Sequence, residues 1–264
     1  MKKLLIVLTV LALSISLLAC ANTGGKLEAI QKAGKIVVYT DPNFPPFEYM
    51  GENGPEGSDI ELAKAIADEL GVTVEFQSAN FDAIAMSIKG GKGDLGISGL
   101  SITEERKKSV DFSDPYINSV QYLILPEDSA VVTVEDLAGL AIGVGKGYTG
   151  SFLIEDEING EAGVLKDSGA SFTEYPSALE ATLDLKNGKV SAVIMDQYVA
   201  QSIADKNEGL KAVELTYADG SIASEEYGVA VPKGNEDLLA IVNDVIAKLN
   251  AENQIEQWVI DFSS

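Results

Sequence analysis

Apolar residues follow different rhythms along this chain. From Leu4 to Ala19 they run almost unbroken behind Met1-Lys2-Lys3. That run is too short and too one-sidedly charged for an ordinary spanning helix, and it has the layout of an export signal. Lys35-Ile-Val-Val-Tyr-Thr40 is instead an apolar run of strand length. It ends in Asp41-Pro-Asn-Phe-Pro-Pro-Phe47, predicted as a loop because proline lacks a donor and restricts the residue before it. From Ser58 the period changes: Ile60, Ala63, Ala67 and Leu70 fall on one side of a helix. Ser58 is the expected N-cap, Glu61 stands three residues on, and Gly71 terminates. Val72-Thr-Val-Glu-Phe76 predicts the next strand, Phe81 to Ile88 a helix stopping at Gly90-Gly91, and Asp94-Leu-Gly-Ile97 a returning strand. The order β-α-β-α-β predicts a largely parallel, layered α/β lobe.

A related unit appears later. Leu179 to Leu185 reads as a helix, Asn187-Gly188-Lys189 as a turn, and Val190-Ser-Ala-Val-Ile194 as a strand that leads to Asp196. The stretch from Ile88 to Ile97 has the same helix, Gly-Lys turn and strand in order, which points to two similar lobes. Open α/β sheets place ligands at the C-terminal ends of such strands. Between the units, a strand over Leu140–Gly145 leads into Gly145-Lys-Gly-Tyr-Thr-Gly150, which satisfies the G-x-G-x-x-G dinucleotide spacing. Ser151 to Ile158 can form the following helix, but no clean second strand ending in an acid comes at the required distance. Setting the dinucleotide aside leaves a helix start whose N–H groups, beside the Thr149 hydroxyl, can receive an anion of any kind.

Charge narrows the chemistry. The formal net charge is −22, so the basic stripe of a nucleic-acid binder is missing. With no histidine and Cys20 as the single cysteine, zinc sites and His- or Cys-based catalysis are excluded. Asp-x-Asp spacing of the calcium-loop kind is not apparent, and neither a metal nor a cofactor is expected. The only arginine, Arg106, falls in the first turn of a helix that Thr103 caps. The positive end of the helix dipole disfavours a cation there. A ligand carboxylate explains the placement, because the planar guanidinium fork matches two oxygens. The competing explanation is a solvated arginine that neutralises Glu104 and Glu105.

Two resemblances connect these features. Leu17-Leu18-Ala19-Cys20 resembles the lipobox of bacterial lipoproteins. It implies a lipoprotein signal over residues 1–20 with cleavage before Cys20, a lipid on that cysteine, a tether over residues 21–33, and residence outside the cytoplasm on the cell membrane. Cleavage removes Lys2 and Lys3 but no acid, so the mature chain is more negative still. Asp41-Pro-Asn-Phe-Pro-Pro-Phe47, Ser98-Gly-Leu-Ser-Ile-Thr-Glu-Glu-Arg106, Asp111-Phe-Ser-Asp-Pro-Tyr116, Gly147-Tyr-Thr149, Asp196 and Tyr227-Gly-Val-Ala-Val231 resemble the family 3 extracellular solute-binding proteins, amino-acid receptors of ABC importers. This resemblance covers roughly Lys35 to Trp258.

The resemblance implies a two-lobed α/β fold of the type II periplasmic-binding-protein kind, with a hinge and an interlobe cleft. Lobe 1 would comprise residues 34–120 and 221–264, and lobe 2 residues 121–220. The chain would cross near Ser119–Leu123 and return near Ala218–Ile222. In the family, residues matching Arg106 and Thr149 clasp the ligand α-carboxylate and the acid matching Asp196 takes the ammonium. Positions Ser101 and Ser98 add polar contacts, Phe44 and Phe81 flank the side chain, and Asp41 meets its polar or cationic end. Taken one at a time, Asp196 can be an ordinary surface acid, and Phe44 and Phe81 ordinary core residues.

The implied function is capture of a free L-amino acid by lobe closure and delivery to the membrane permease of an ABC importer. Arginine, lysine or ornithine ranks ahead of glutamine, with cystine or an aliphatic amino acid below. A monomer without nucleic-acid partners is expected. The alternative from another class is an enzyme of the same fold, such as a dehydratase acting on a small carboxylate. Against it stands the lack of a histidine or thiol base and of an appended domain. Several residues depart from the family pattern: Ser191, Gly99, Ser58-Asp-Ile-Glu61, and Tyr148 where small hydroxyl residues are frequent.

Overall fold

The computed structural model describes residues 25–263. The signal segment, Cys20 and residues 21–24 therefore lie outside the described residues, and most of the expected tether is helical. Helix α1 (Lys26–Ala33) leads into β1 (Lys35–Thr40), whose Ile36, Val38 and Thr40 are buried while the residues between them are less so. That alternation is what a pleated strand imposes on a run with one side against the core. The segment expected to be all loop contains β2 (Asn43–Phe44), which pairs with β3 (Glu48–Gly51), and β3 pairs with β4 (Gly54–Glu56). The Pro45–Pro46 bond is cis. Both prolines occupy the turn between β2 and β3, where no ladder donor is required.

Helix α2 (Ser58–Leu70) buries Ile60, Leu62, Ala63, Ile66, Ala67 and Leu70, the predicted side and its flanks. Its start differs from expectation: Ser58 is inside the helix, and Gly57 precedes it without a side-chain cap. The reason is tertiary. The Ser58 and Asp59 N–H groups donate to the Pro46 and Phe47 carbonyls, so neighbouring backbone satisfies the first-turn donors. Gly71 ends the helix in the left-handed conformation, as predicted.

Strand β5 (Thr73–Ser78), a short turn at Phe81–Ala83, α3 (Ile84–Lys89) and β6 (Leu95–Gly96) complete the first unit. β1 lies parallel to both β5 and β6, as the β-α-β-α-β pattern requires. Helix α4 (Glu104–Lys107) and β7 (Asp111–Phe112) follow. The chain then leaves through the ten-residue β8 (Ile117–Pro126).

The second sheet is built from β9 (Ala141–Gly145), β10 (Ser171–Tyr175), β11 (Ala192–Asp196) and β12 (Leu210–Glu214) around β8. Its helices are α5 (Thr149–Asn159), α6 (Ala178–Lys186) and α7 (Gln197–Asp205). Strands β10, β9 and β11 are parallel, whereas β8 runs antiparallel to β11 and β12. The chain returns through β13 (Ser224–Tyr227), pairing Ser224 with Val120 and Tyr227 with Ile117 on the first half of β8. Strand β14 (Ala230–Val231) then inserts between β6 and β7 of the first sheet. Helices α8 (Glu236–Ala251) and α9 (Gln254–Ser263) close the chain against α2.

Alternation along β11 distributes its residues between two cores. Val193 and Met195 join the larger cluster with Phe44, Phe81 and Tyr227, while Ala192 and Ile194 join Ile142, Val144 and Leu123 on the other face. The fold is α/β and two-lobed, and β8 with β13 forms the paired connection between the lobes.

Candidate functional site

Arg106 stands where the sequence placed it, in α4, with Thr103 Oγ1 accepting from the Arg106 backbone N–H at 3.2 Å. The side chain does not spread over Glu104 and Glu105, whose carboxylates pair with Lys107 and Lys108. It turns inward instead. One guanidinium nitrogen donates to the Ser101 carbonyl at 2.7 Å and the other to the Gly147 carbonyl at 3.0 Å, across the seam between the lobes. Its carbon lies 5.0 Å from the Phe81 ring centroid, within cation–π range. Burial lowers its pKa to about 10, while the charges of Glu225 and Asp196 pull the other way. The group stays cationic at neutral pH.

Facing it are two acids. Asp196, at the end of β11, is 3% exposed; it accepts from Gln121 Nε2 at 2.7 Å and from the Tyr227 hydroxyl. Burial pushes this carboxyl well above the usual range, and the Glu225 charge pushes the same way, against the hydrogen bonds of Tyr227 and Gln121. Glu225, on β13, accepts from Ser101 Oγ at 2.6 Å, Gln121 Nε2 at 2.6 Å and Thr149 Oγ1 at 2.7 Å. One amide, that of Gln121, thus touches both carboxylates and also reaches Thr149 Oγ1 at 3.2 Å. Thr149 is the first residue of α5, so the backbone donors of that helix start open onto the same place.

The rest of the predicted set forms an adjoining wall. Asp41 accepts from Asn43 Nδ2 at 2.7 Å and from the Phe81 N–H at 3.1 Å, which fixes the Phe81 turn. Burial raises the Asp41 pKa against both hydrogen bonds. Phe44 and Phe81 lie nearly parallel with centroids 6.2 Å apart, and Tyr148 from the other lobe meets both edge-on, at 5.5 and 4.4 Å. Gly99 (φ 50°) lets this wall close, since a Cβ there would come 2.4 Å from the Phe44 ring.

Beneath the wall lies a second acid pair. Ser98 Oγ accepts from the Asp41 N–H at 3.0 Å and donates to Glu48 Oε1 at 2.5 Å, so its hydroxyl is committed to the scaffold. Asp59 accepts from the Gly99 N–H at 2.7 Å and from the Tyr116 hydroxyl at 2.8 Å. Burial pushes Asp59 up to about 6, and burial together with the Asp59 charge pushes Glu48 well above its usual value. With both ionised, Glu48 Oε2 and Asp59 Oδ1 are buried without a partner; one proton held on Glu48 and donated to Asp59 satisfies them together.

Seven of the eight predicted side chains gather at one seam, Ser101, Arg106, Thr149 and Asp196 around the polar centre and Asp41, Phe44 and Phe81 along the wall, while the Ser98 hydroxyl turns away beneath the wall to Glu48. Beside Arg106 opens a hollow of about 240 Å³, bordered by Phe81, Asp82, Leu100, Gly147 and Phe152. A larger hollow, of about 530 Å³, runs along the crossing strands by Asn118, Val120, Ser224 and Glu225; charge, not volume, singles out the seam. Sequence reasoning missed Glu225 and Gln121. The available signal was period two on β13, which puts Glu225 on the same side as Tyr227, a residue of the Tyr227–Val231 motif.

The model of the bacterial extracellular solute-binding proteins, family 3, matches residues 36–261. The L-cystine-binding protein TcyJ of Escherichia coli K12 is 29% identical over 241 residues, spanning 89% of this chain and 86% of its own length. Among solved structures, an ancestral arginine-binding protein bound to arginine is 37% identical with a TM-score of 0.76, covering 87% of this chain and 98% of that one. An amino acid ABC transporter substrate-binding protein of Streptococcus pneumoniae bound to L-arginine is 32% identical with a TM-score of 0.81, covering 91% and 98%.

Proposed function

The chain belongs to the bacterial extracellular solute-binding proteins of family 3, and from that premise we propose that it captures one free L-α-amino acid between its lobes and delivers it to an ABC importer. Its relatives are substrate-binding proteins, and it is a binding protein rather than an enzyme. The observation that carries the proposal is the placement of opposite charges at the seam: Arg106 from one lobe, bonded to Gly147 of the other, faces the buried Asp196. A zwitterion in a dry cleft needs both signs and enough hydrogen bonds to offset its desolvation.

In this reading the Arg106 fork and Thr149 hold the α-carboxylate, and Asp196 holds the α-ammonium, aided by Glu225, the Ser101 hydroxyl and the Ser98 carbonyl. Phe44 and Phe81 run along the side chain, with Asp41 near its end. Lobe 1 is residues 34–120 and 221–264, lobe 2 residues 121–220, and closure bends β8 and β13. Charge ranks the ligands. Arg106 is one cation against Asp196, Glu225 and Asp41, so a neutral zwitterion leaves an excess of negative charge that a basic side chain offsets. Arginine, lysine or ornithine therefore precedes glutamine. A lipid on Cys20 would hold this single-chain receptor at the outer face of the membrane, beside its permease.

Calorimetry against the standard amino acids plus ornithine and cystine is the test. Tight binding of a basic amino acid is expected. Binding only to a sugar, a nucleotide or a dicarboxylate without an amino group would overturn the proposal.

A further inference from the structure

Among the buried tyrosines at and beneath the seam, one differs from its neighbours. Tyr116 donates to Asp59 and Tyr227 donates to Asp196. Tyr148 is 3% exposed, yet its buried hydroxyl has no hydrogen-bond partner. A phenylalanine would fill the same space without an uncompensated desolvation cost, so packing does not account for the oxygen.

The ring is seated by the backbone around it. Gly145 lies beneath it, where a Cβ would come 2.3 Å from the ring, and Gly147 (φ 75°) turns the loop against Asp82 of the opposite lobe. This seat holds the Tyr148 edge against Phe44 and Phe81. Those two rings, 6.2 Å apart, are closer than the ~7 Å that a planar group contacting both faces requires. A ligand side chain that follows the wall is thereby kept from between the two rings and meets Tyr148, whose ring packs edge-on against both. The surrounding ionisable groups are acids: Asp41, Glu48, Asp196 and Asp82 all act on the Tyr148 phenol. A group arriving there in that negative field must be a donor, and a cationic one is favoured.

We propose that Tyr148 is the specificity-determining residue of this receptor: its hydroxyl accepts a hydrogen bond from the guanidinium or ammonium end of the ligand side chain, and its ring limits how deep that side chain reaches. The proposal rests on the amino-acid reading above and names the side-chain chemistry that the reading leaves open.

The test uses Tyr148→Phe and Tyr148→Ser in the full chain, with L-arginine, L-lysine, L-glutamine and L-norleucine as calorimetric probes. Tyr148→Phe should weaken the tightest-bound basic amino acid by about tenfold or more, and without ligand it should melt no lower than the native chain. Tyr148→Ser should lose the preference for arginine or lysine over norleucine. An affinity for the basic ligand within about twofold of native in Tyr148→Phe, a lower melting point of that variant without ligand, or an unchanged ligand ranking in Tyr148→Ser overturns the proposal. Norleucine as the best ligand of the native chain also overturns it and leaves the amino-acid reading standing. If the native chain binds none of the amino acids, the failure lies in the functional reading, and it shows before any variant is made.

Discussion

Two acid pairs, Glu48 with Asp59 and the buried Asp196 with the half-buried Glu225, serve different ends in this protein. Glu48 and Asp59 are enclosed in lobe 1, where every partner belongs to the scaffold: Ser98 Oγ, the Gly99 N–H and the Tyr116 hydroxyl. Asp196 and Glu225 lie at the seam, where donors come from the crossing strands and from both lobes, and where Arg106 faces them. Burial raises a carboxyl in each pair. A raised pKa therefore does not by itself mark a binding group here. What separates the pairs is a cation opposite and donors that belong to two bodies able to move apart.

Substitutions can break or sharpen that contrast. Arg106→Ala has the largest expected effect. It removes the cation and leaves the seam acids uncompensated, so amino-acid affinity should fall about 10²–10³-fold or more, read by calorimetry. Circular dichroism should show the fold intact; an affinity close to native would erase the distinction between the pairs. Next comes Asp59→Ala, which deprives the Gly99 N–H and the Tyr116 hydroxyl of their acceptor. Loss of about 2–4 kcal/mol of unfolding free energy is expected in denaturant titration. At denaturant-free conditions any affinity change should stay well below that of Arg106→Ala.

A smaller effect is expected for Glu225→Gln, which keeps the shape of the side chain and removes one seam charge. Binding of a basic amino acid should weaken about 5–10-fold, with a lesser effect on glutamine. Equal losses for both ligands would show that Glu225 organises the site without selecting for charge.

The smallest effect concerns pH. Asp59 in the folded chain titrates near 6, above its ordinary 3.8. The folded state thus holds this proton more tightly than the unfolded chain does. The stabilisation is complete below about pH 4 and is lost as pH rises through 6, and Glu48 extends the loss to higher pH. Glu48→Gln gives Asp59 a permanent amide donor. Its melting temperature should fall less than that of the native chain between pH 4 and 8, by ~2–4 °C; identical slopes would place the titration elsewhere.

How much of this was legible in advance depended on distance along the chain. The Arg106 turn was readable because Thr103, Glu104 and Arg106 stand within one helical turn. The parallel core of lobe 1 followed from the short apolar run of β1, the helical period of α2 and the β-α-β-α-β order. The capping role expected of Ser58 failed because a carbonyl from Pro46, distant in the rule that was used, reached the helix start first. Glu225 went unnoticed because nothing near it in sequence needs it. Ser101 and Gln121, its donors, lie 124 and 104 residues away.

The sequence by itself determined the local periods, the family, and the residue types that could face a zwitterion. These depend on contacts between near neighbours and on side-chain chemistry that any fold would keep. Tertiary structure alone decided which acids share a donor, which tyrosine hydroxyl is left without one, and which carbonyls Arg106 reaches. The reason is physical: burial and long-range strand pairing set the desolvation of each charge and the partners that remain to it, and neither quantity exists until the two crossing strands have brought the lobes together.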